Sequence, residues 1–520
     1  MNEIVASLIE SVGLVLPEAV LIGAAGVAFL GAAFYHNRHA WGALALAVLL
    51  GAAAAWWLTR DARVPVPEAS LFRSTALTWF VRGVSLAAGF VFVLFSWNQV
   101  SDRVAGEYHG CLLLIIAGTG LVAAANDLVS LFLALEVISI PTYLLLYLPR
   151  SNPAAQEATV KYFLLSIFSS ALLLYGLSFL YGSVGSTNLD VIRAALRQAE
   201  PAQLPPVLVV ALVLIVAGLG FRVTAVPFHF YAPDVYEGAP TVGAALLTFI
   251  PKVAGFLALF AVVVGTLLVG ERTTPLVSQA TLLFWILATV SMFLGNVLGL
   301  LQDNVRRLLA YSSVAHAGYM LVALGAGQLE GAAVSGTEAL FFYLVVYGAM
   351  AVGVFAVLAL LDRAGPPVAT IDDLAGLGRT HPVAALLLTI FLFSLTGLPP
   401  TAGFWGKLYI VFAAWFEGSS LYKVLAVLVA INAAIGAWYY LRIVAAMYLR
   451  PAVHPRQTPR ETPALLATAV CALLTVGLFV APGLLWSAVE RATTPPAAAQ
   501  PAPSGVAFGA PAQRPPTASP

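Results

Sequence analysis

The chain has 520 residues, of which 61% are hydrophobic and only 9% are charged. Because a soluble domain carries about a quarter charged residues, this composition indicates a polytopic membrane protein. The formal net charge of +1 gives no indication of nucleic-acid binding. The two cysteines, Cys111 and Cys471, lie in distant apolar runs, which excludes a disulfide framework and a cysteine-rich metal site.

The N-terminal stretch "MNEIVASLIESVGL" has acidic residues where a signal peptide has basic ones, so the first apolar run is predicted to remain as a membrane helix. A spanning helix needs roughly 20 mostly apolar residues, and the chain contains about fourteen candidate segments. The predicted fold class is therefore an all-α polytopic membrane protein. Because the connecting loops are short, function is expected inside the membrane or at its faces.

One apolar segment, "NDLVSLFLALEVISIPTYLLLYL", carries a glutamate, Glu136, far from both of its ends. A charged side chain at the bilayer centre costs roughly 2.5 to 3.5 kcal/mol on insertion scales. Such a carboxylate is expected to have a function, and a purely structural ion pair is the alternative.

Lysine is rare in this chain, with four lysines against 21 arginines. Three of the four, Lys161, Lys252 and Lys407, fall within predicted membrane segments, whereas Lys423 lies near a loop. A buried ammonium group can lose its proton, but a guanidinium group stays charged. The pattern favours a chain of proton carriers, and the alternative for Lys161 and Lys407 is that they extend to the headgroups from helix ends.

Two segments contain residues that interrupt a helix. One places Arg222, Pro227 and His229 together, and the other places two prolines directly before Lys407. Proline removes a backbone donor, and irregular backbone at membrane depth is tolerated only where it lines a cavity or is buried in protein. Broken helices in corresponding halves are typical of transporters built from repeats. A faint repeat agrees with this, because "ND" at 126 and "DN" at 303 each precede a predicted helix.

Five motifs in this order resemble the antiporter-like membrane subunits of respiratory complex I, the proton-pumping NADH:quinone oxidoreductase. The resemblance extends from about residue 15 to 485. The motifs are "NDLVSLFLALEVISIPTYLL", "KYFLLSIFSSALLLYGLSFLYGSVGSTNL", "GFRVTAVPFHFYAPDVYEGAPT", "RRLLAYSSVAHAGYML" and "GLPPTAGFWGK". The resemblance implies about fourteen transmembrane helices with two inverted five-helix repeats, each containing a broken helix.

The resemblance also implies a division of the chain. Residues 1–107 would form helices 1 to 3, residues 108–270 the first repeat with helices 4 to 8, and residues 271–450 the second repeat with helices 9 to 13. Residues 451–488 would form the last transmembrane helix, and the Pro/Ala-rich residues 489–520 are expected to be a disordered tail.

Seven side chains match the positions of the family's proton relay or lie beside it. They are Glu136, Lys161, Arg222, His229, Lys252, His316 and Lys407. The family contains three types of antiporter-like subunit, and the lysine in "GFWGK" is typical of two of them. The lack of a long lateral C-terminal helix favours one of these two types. That type usually has lysine at the position of Arg222, which puts a proton-carrying role there in doubt.

The expected mechanism is electrostatic. Glu136 would act as the switchable counter-charge of Lys161, so that approach stabilises the lysine's proton and separation releases it. His229 and His316 would relay protons, and Arg222 would serve as a fixed positive charge. The alternative for Arg222 is pairing with backbone carbonyls that the helix break exposes.

No cofactor is expected in this chain, since NADH, FMN, iron-sulfur clusters and quinone would be bound by partner subunits. The expected partners are the other membrane subunits and the peripheral redox arm of complex I, in the bacterial inner membrane. Three alternatives remain open from the sequence: a subunit of a multisubunit cation/proton antiporter, a subunit of a membrane-bound hydrogenase, and a scaffold without transport activity.

Overall fold

The computed structural model describes residues 13–60, 70–149, 152–199, 204–268, 275–327, 334–452 and 461–494. The tail predicted to be disordered from residue 489 is helical at its start, because residues 489–493 end the helix Pro482–Thr493 and bury Val489 and Ala492. The prediction is wrong for these residues, and the tail from position 495 onward lies outside the described residues. Within the described ranges the chain is helical, and its extended backbone is confined to isolated bridges. The predicted all-α class is confirmed.

The described chain contains nineteen α-helices. In chain order they are α1 (Leu16–Ala32), α2 (Arg38–Leu58), α3 (Ala76–Ser96), α4 (Ala105–Ala124), α5 (Leu128–Tyr147), α6 (Pro153–Val184), α7 (Leu189–Gln198), α8 (Val207–Val223), α9 (Ala232–Gly238), α10 (Thr241–Ala258), α11 (Pro275–Leu300), α12 (Val305–Ala326), α13 (Gly336–Ala364), α14 (Leu377–Thr380), α15 (Pro382–Thr396), α16 (Ala402–Phe416), α17 (Ser420–Leu449), α18 (Thr462–Val480) and α19 (Pro482–Thr493). A π-helix, Leu259–Leu267, continues α10, and a 3₁₀ turn, Ile371–Leu374, precedes α14.

Eleven of the described helices are long and apolar enough to cross a membrane. Four shorter apolar helices, α1, α8, α15 and α16, accompany them. The segments that the sequence predicted to be broken correspond to α8 followed by α9 and to α15 followed by α16. The number of fourteen crossings stays a prediction, because the short helices do not reach spanning length on their own.

Local sequence explains where the long helices begin. Asp127 caps α5 by accepting hydrogen bonds from the N–H groups of Val129 and Ser130, and Asn304 caps α12 in the same way. Such side-chain caps satisfy backbone donors that the first helical turn leaves without partners, and each typically contributes about 1 kcal/mol.

The two capping residues also show an internal repeat. Asp127 forms an antiparallel bridge with Asn188, and Asn304 forms an antiparallel bridge with Thr370. In both cases the residue directly before a helix pairs with the segment that follows the next long helix. The same backbone motif therefore recurs about one repeat apart, which agrees with the "ND" and "DN" pattern. The domain boundaries within the repeats stay a prediction.

The interior of the bundle is formed by α4, α10, α12 and α13. Between 78 and 94% of the apolar stretch of these spans is buried. The outer helices instead expose large apolar side chains such as Leu30, Phe168 and Leu473, as expected for surfaces that face lipid or a neighbouring subunit. The polar side chains on the central helices are therefore shielded from the surroundings.

Candidate functional site: a buried row of charged and polar side chains

Both helix breaks use a left-handed residue to end the first half-helix. At the end of α8, Thr224 has φ 62° and is the one non-glycine residue with positive φ in the described chain. At the end of α15, Gly397 has φ 90°. This conformation terminates a helix, but it disfavours threonine, so the surrounding structure must hold Thr224 in place.

Each terminated half-helix presents one or two backbone carbonyls to a lysine, and α12 supplies a further carbonyl at the first break. Lys252 on α10 donates hydrogen bonds to the carbonyl oxygens of Val223 at 3.1 Å and of Ser313 at 2.6 Å. Lys407 on α16 donates to the carbonyls of Leu395 and Thr396, both at 2.8 Å. The final carbonyls of a helix carry a partial negative charge, so both ammonium groups are stabilised at the breaks.

Neither lysine extends to a surface. Lys252 is 0% exposed and Lys407 is 8% exposed. The alternative that Lys407 reaches the headgroups from a helix end is therefore wrong. Since neither ammonium group pairs with a carboxylate among the described ion pairs, each rests on backbone carbonyls and aromatic rings.

His316 and several tyrosines occupy the space between the two lysines. His316 Nδ1 lies 2.7 Å from the hydroxyl of Tyr343, and its Nε2 lies 3.1 Å from the hydroxyl of Tyr440. The Lys252 ammonium faces the ring of Tyr347, 5.7 Å from its centroid, and the Lys407 ammonium faces the ring of Tyr319 at 4.9 Å. Both rings contact the imidazole, with centroid distances of 5.0 and 5.5 Å respectively.

The imidazole and the tyrosine hydroxyls are groups that can both donate and accept protons. Because His316 touches a ring that faces each ammonium group, it occupies the position between Lys252 and Lys407. The sequence predicted His316 as a polar link, and its relay role stays a prediction.

A buried row of side chains begins at Glu136 and Arg222 and continues through Lys252 and His316 to Lys407. At its first end, Glu136 pairs with Arg222. Arg222 donates to the Glu136 carboxylate at 2.9 Å and to the Ser139 hydroxyl at 2.7 Å, while the Ser170 hydroxyl donates to the same carboxylate at 2.6 Å. The guanidinium is 4% exposed and the carboxylate 22%. The charged pair is thus largely enclosed. Arg222 directly precedes Val223, whose carbonyl binds Lys252.

The contacts of Arg222 decide between its two predicted roles. Its one backbone acceptor is the carbonyl of Leu135 at 3.3 Å, which belongs to α5 and not to the helix break. The predicted pairing with carbonyls exposed by the break is therefore wrong. The contact with Glu136 agrees with the predicted fixed positive charge, which here lies beside the carboxylate.

The predicted pairing of Glu136 with Lys161 is corrected by the structure. Lys161 donates to Asp234 and to Glu157, both at 2.7 Å, and its side chain is 39% exposed. Lys161 precedes Ser170, which holds Glu136, by nine residues along α6, a rise of about 13.5 Å. That separation exceeds the reach of a lysine's four-carbon stem, so rotation of the side chain cannot bring the two together.

His229 lies in the first break and is half-buried. None of the hydrogen bonds that Arg222, Lys252 and His316 form involves it. Its role as a link in the relay therefore stays a prediction without a direct contact to support it.

No prediction from the sequence covered several polar residues that lie in the row or beside it. Tyr343 and Tyr347 stand four residues apart in an otherwise apolar segment, which places both on one helix face. Asp234 stands within the same motif as Arg222. The spacing of the tyrosines was the available signal, whereas nothing in the sequence pointed to the partners of Asp234.

A polytopic helical bundle with two broken helices, each ending in a backbone carbonyl that binds a buried lysine, defines an antiporter-like membrane subunit. A family model described as "NADH:quinone oxidoreductase/Mrp antiporter, TM" matches residues 125–435. The chain belongs to this family, which confirms the resemblance seen in the sequence.

Individual relatives resemble the chain over most of its length. NADH-quinone oxidoreductase subunit N 1 of Solibacter usitatus is 43% identical over 374 residues, which is 71% of this chain and 73% of the relative. NADH-quinone oxidoreductase subunit N of Paramagnetospirillum magneticum is 35% identical over 92% of this chain and 96% of its own. A chain of respiratory complex I from Thermus thermophilus is 30% identical, superimposes with a TM-score of 0.75, and is matched over 91% of this chain and 99% of that chain.

Proposed function

We propose that this chain is subunit N of a bacterial proton-pumping NADH:quinone oxidoreductase and that it moves protons along the buried row. The observation that carries the proposal is the set of contacts that connects side chains of α5, α8, α10, α12 and α16. It begins at the Glu136–Arg222 pair, passes the two carbonyls that hold Lys252, and continues through His316 to the site of Lys407. The names and identities of the relatives favour this reading over a cation/proton antiporter or a hydrogenase subunit.

Each group in the row has a distinct chemical task. A guanidinium group keeps its proton, so Arg222 acts as a fixed positive charge beside Glu136. Lys252 and Lys407 act as the proton carriers, because an ammonium group released from its carbonyl acceptors can give up a proton. His316 and the hydroxyls of Tyr343 and Tyr440 provide the intermediate donor and acceptor groups.

The driving force would come from outside this chain. NADH oxidation and quinone reduction take place in partner subunits that bind NADH, FMN, iron-sulfur clusters and quinone, and this chain supplies the proton path. Within the described residues, no group of three or more histidine, cysteine or acidic side chains could hold a metal ion. The partners are the neighbouring membrane subunits and the redox arm of the complex, in the inner membrane.

Purification of the tagged chain from native membranes tests this function. We expect flavin- and iron-sulfur-containing subunits that oxidise NADH to purify with it, and the reconstituted complex to acidify or alkalinise vesicles during NADH:quinone turnover. Recovery with cation/proton antiporter subunits that lack NADH oxidation would instead support the antiporter alternative. An assembled NADH-oxidising complex that pumps normally with Lys252→Met would contradict the proposed path.

A further inference from the structure

Asp234 is shared by two cations that belong to different halves of the chain. Its two carboxylate oxygens accept hydrogen bonds from Lys161 on α6 and from Arg307 on α12, both at 2.7 Å. Arg307 also bonds the Glu237 carboxylate at 2.9 Å, and Asn304 donates to the same carboxylate at 2.9 Å. Both acids lie on α9, the short helix after the first break, so α9 is held between α6 and α12.

The opposite face of α9 contacts the Lys252 site. Tyr236, which stands between the two acids in sequence, is fully buried, and its hydroxyl lies 3.3 Å from the Ser313 hydroxyl. The backbone carbonyl of the same serine accepts the 2.6 Å hydrogen bond from Lys252. The ion-pair cluster at one face of α9 and the buried lysine near its other face are therefore separated by a single helix of seven residues.

A short helix has little independent stability, since isolated helices below about 12 residues are marginal. The position of α9 must therefore come from its side-chain contacts with α6, α12 and the bundle interior. Asp234 supplies two charge-assisted hydrogen bonds, which are stronger than neutral ones. Charged neighbours that face the cluster are Glu157 and Lys161 on α6, Arg307 on α12 and Glu237 on α9 itself.

We propose that Asp234 is a positioning residue for Lys252. By holding Lys161 and Arg307 on one carboxylate, Asp234 fixes α9 between the two repeats and so sets the contact of Tyr236 with the serine that binds Lys252. The inference rests on the proposed function and adds to it a residue that does not itself carry the transported proton.

The experiment uses the complete complex in proteoliposomes and measures proton pumping and NADH:quinone turnover for each variant, normalised to the amount of assembled complex. Asp234→Asn is expected to lower the pumping rate by about tenfold, the loss that about 1.4 kcal/mol of positioning energy produces. Asp234→Glu, which keeps both acceptors, should restore much of the rate. Glu157→Gln is the matched control, because it removes the other partner of Lys161 and leaves the contacts of α9 intact.

A double variant separates positioning from a general effect on stability. If Asp234 acts through Tyr236, then Tyr236→Phe lowers pumping as well, and the double variant Asp234→Asn/Tyr236→Phe is no worse than the more affected single variant. Additive losses, or a loss that only follows the amount of assembled complex, would overturn the inference. Unchanged pumping and an unchanged pH profile in Asp234→Asn would overturn it too.

Lys252→Met in the same assay distinguishes a failure of the positioning role from a failure of the proposed function. If Lys252→Met abolishes pumping while Asp234→Asn pumps at the rate of the unmodified complex, the proposed function stands and the positioning role fails. If Lys252→Met itself pumps normally, the proposed function fails.

Discussion

The Arg222→Met substitution tests whether the pair with Glu136 is a fixed electrostatic element of the row. Methionine keeps an apolar stem of similar length but removes the charge and every hydrogen bond of the guanidinium. Glu136 would then retain the Ser170 hydroxyl at 2.6 Å as its described hydrogen-bond donor. The substitution therefore leaves a largely enclosed carboxylate without its counter-charge.

The size of the effect follows from the burial of the pair. Removing one partner of a buried ion pair costs about 3 to 5 kcal/mol. Because the Glu136 side chain is 22% exposed, the lower end of this range applies, about 3 kcal/mol. Arg222→Lys keeps the positive charge and loses part of the hydrogen bonding, so about 1 kcal/mol is expected for that change.

The assay is a double-mutant cycle with Arg222→Met, Glu136→Gln and the double variant. The amount of assembled complex and its rate of thermal inactivation report stability, and dye-monitored pumping in proteoliposomes reports function. The double variant should recover most of the stability, because it contains no unpaired charge. Its pumping should stay low, since the fixed charge and the carboxylate are both absent. Arg222→Lys should pump nearly normally.

Two results would refute this reasoning. Equal stability and equal pumping of Arg222→Met and Arg222→Lys would show that the charge at this position has no role. A double variant whose stability loss equals the sum of the two single losses would show that Arg222 and Glu136 do not interact energetically, contrary to their 2.9 Å contact.

The remaining predictions concern lysines and a second buried pair. Lys252→Met and Lys407→Met should each lower pumping by at least about tenfold. Lys423 lies at the exposed start of α17, so Lys423→Met should pump like the unmodified complex. Similar losses in all three variants would show that burial at the breaks does not matter. Glu18 and Arg82, both under 5% exposed and 2.7 Å apart, form a pair outside the row. Glu18→Gln should therefore lower thermal stability by about 3 kcal/mol while pumping per assembled complex is unchanged, and a loss of pumping without a loss of stability would contradict a purely structural role.

Several features of the site could be predicted from local sequence. Hydropathy identifies the membrane helices because about 20 apolar residues are needed to cross a bilayer. Proline and glycine mark the two breaks, since they interrupt helical hydrogen bonding or accept the left-handed conformation. The depth of Lys252 and Lys407 within apolar segments correctly indicated that both are buried. These properties depend on residues that are close together in the chain.

The choice of partners was decided only by the tertiary structure. Glu136 and Lys161 lie on neighbouring helices, but Lys161 is nine residues, about 13.5 Å along α6, from Ser170, whose hydroxyl donates to Glu136. Glu136 pairs with Arg222 instead. Lys161 pairs with Asp234, a residue 73 positions away. A contact between two helices depends on their relative rotation and axial shift, and hydropathy contains neither quantity. The sequence by itself therefore showed which apolar segments carry charged side chains such as Glu136, Lys252 and Lys407, while the packing of the helices decided which charged side chains meet.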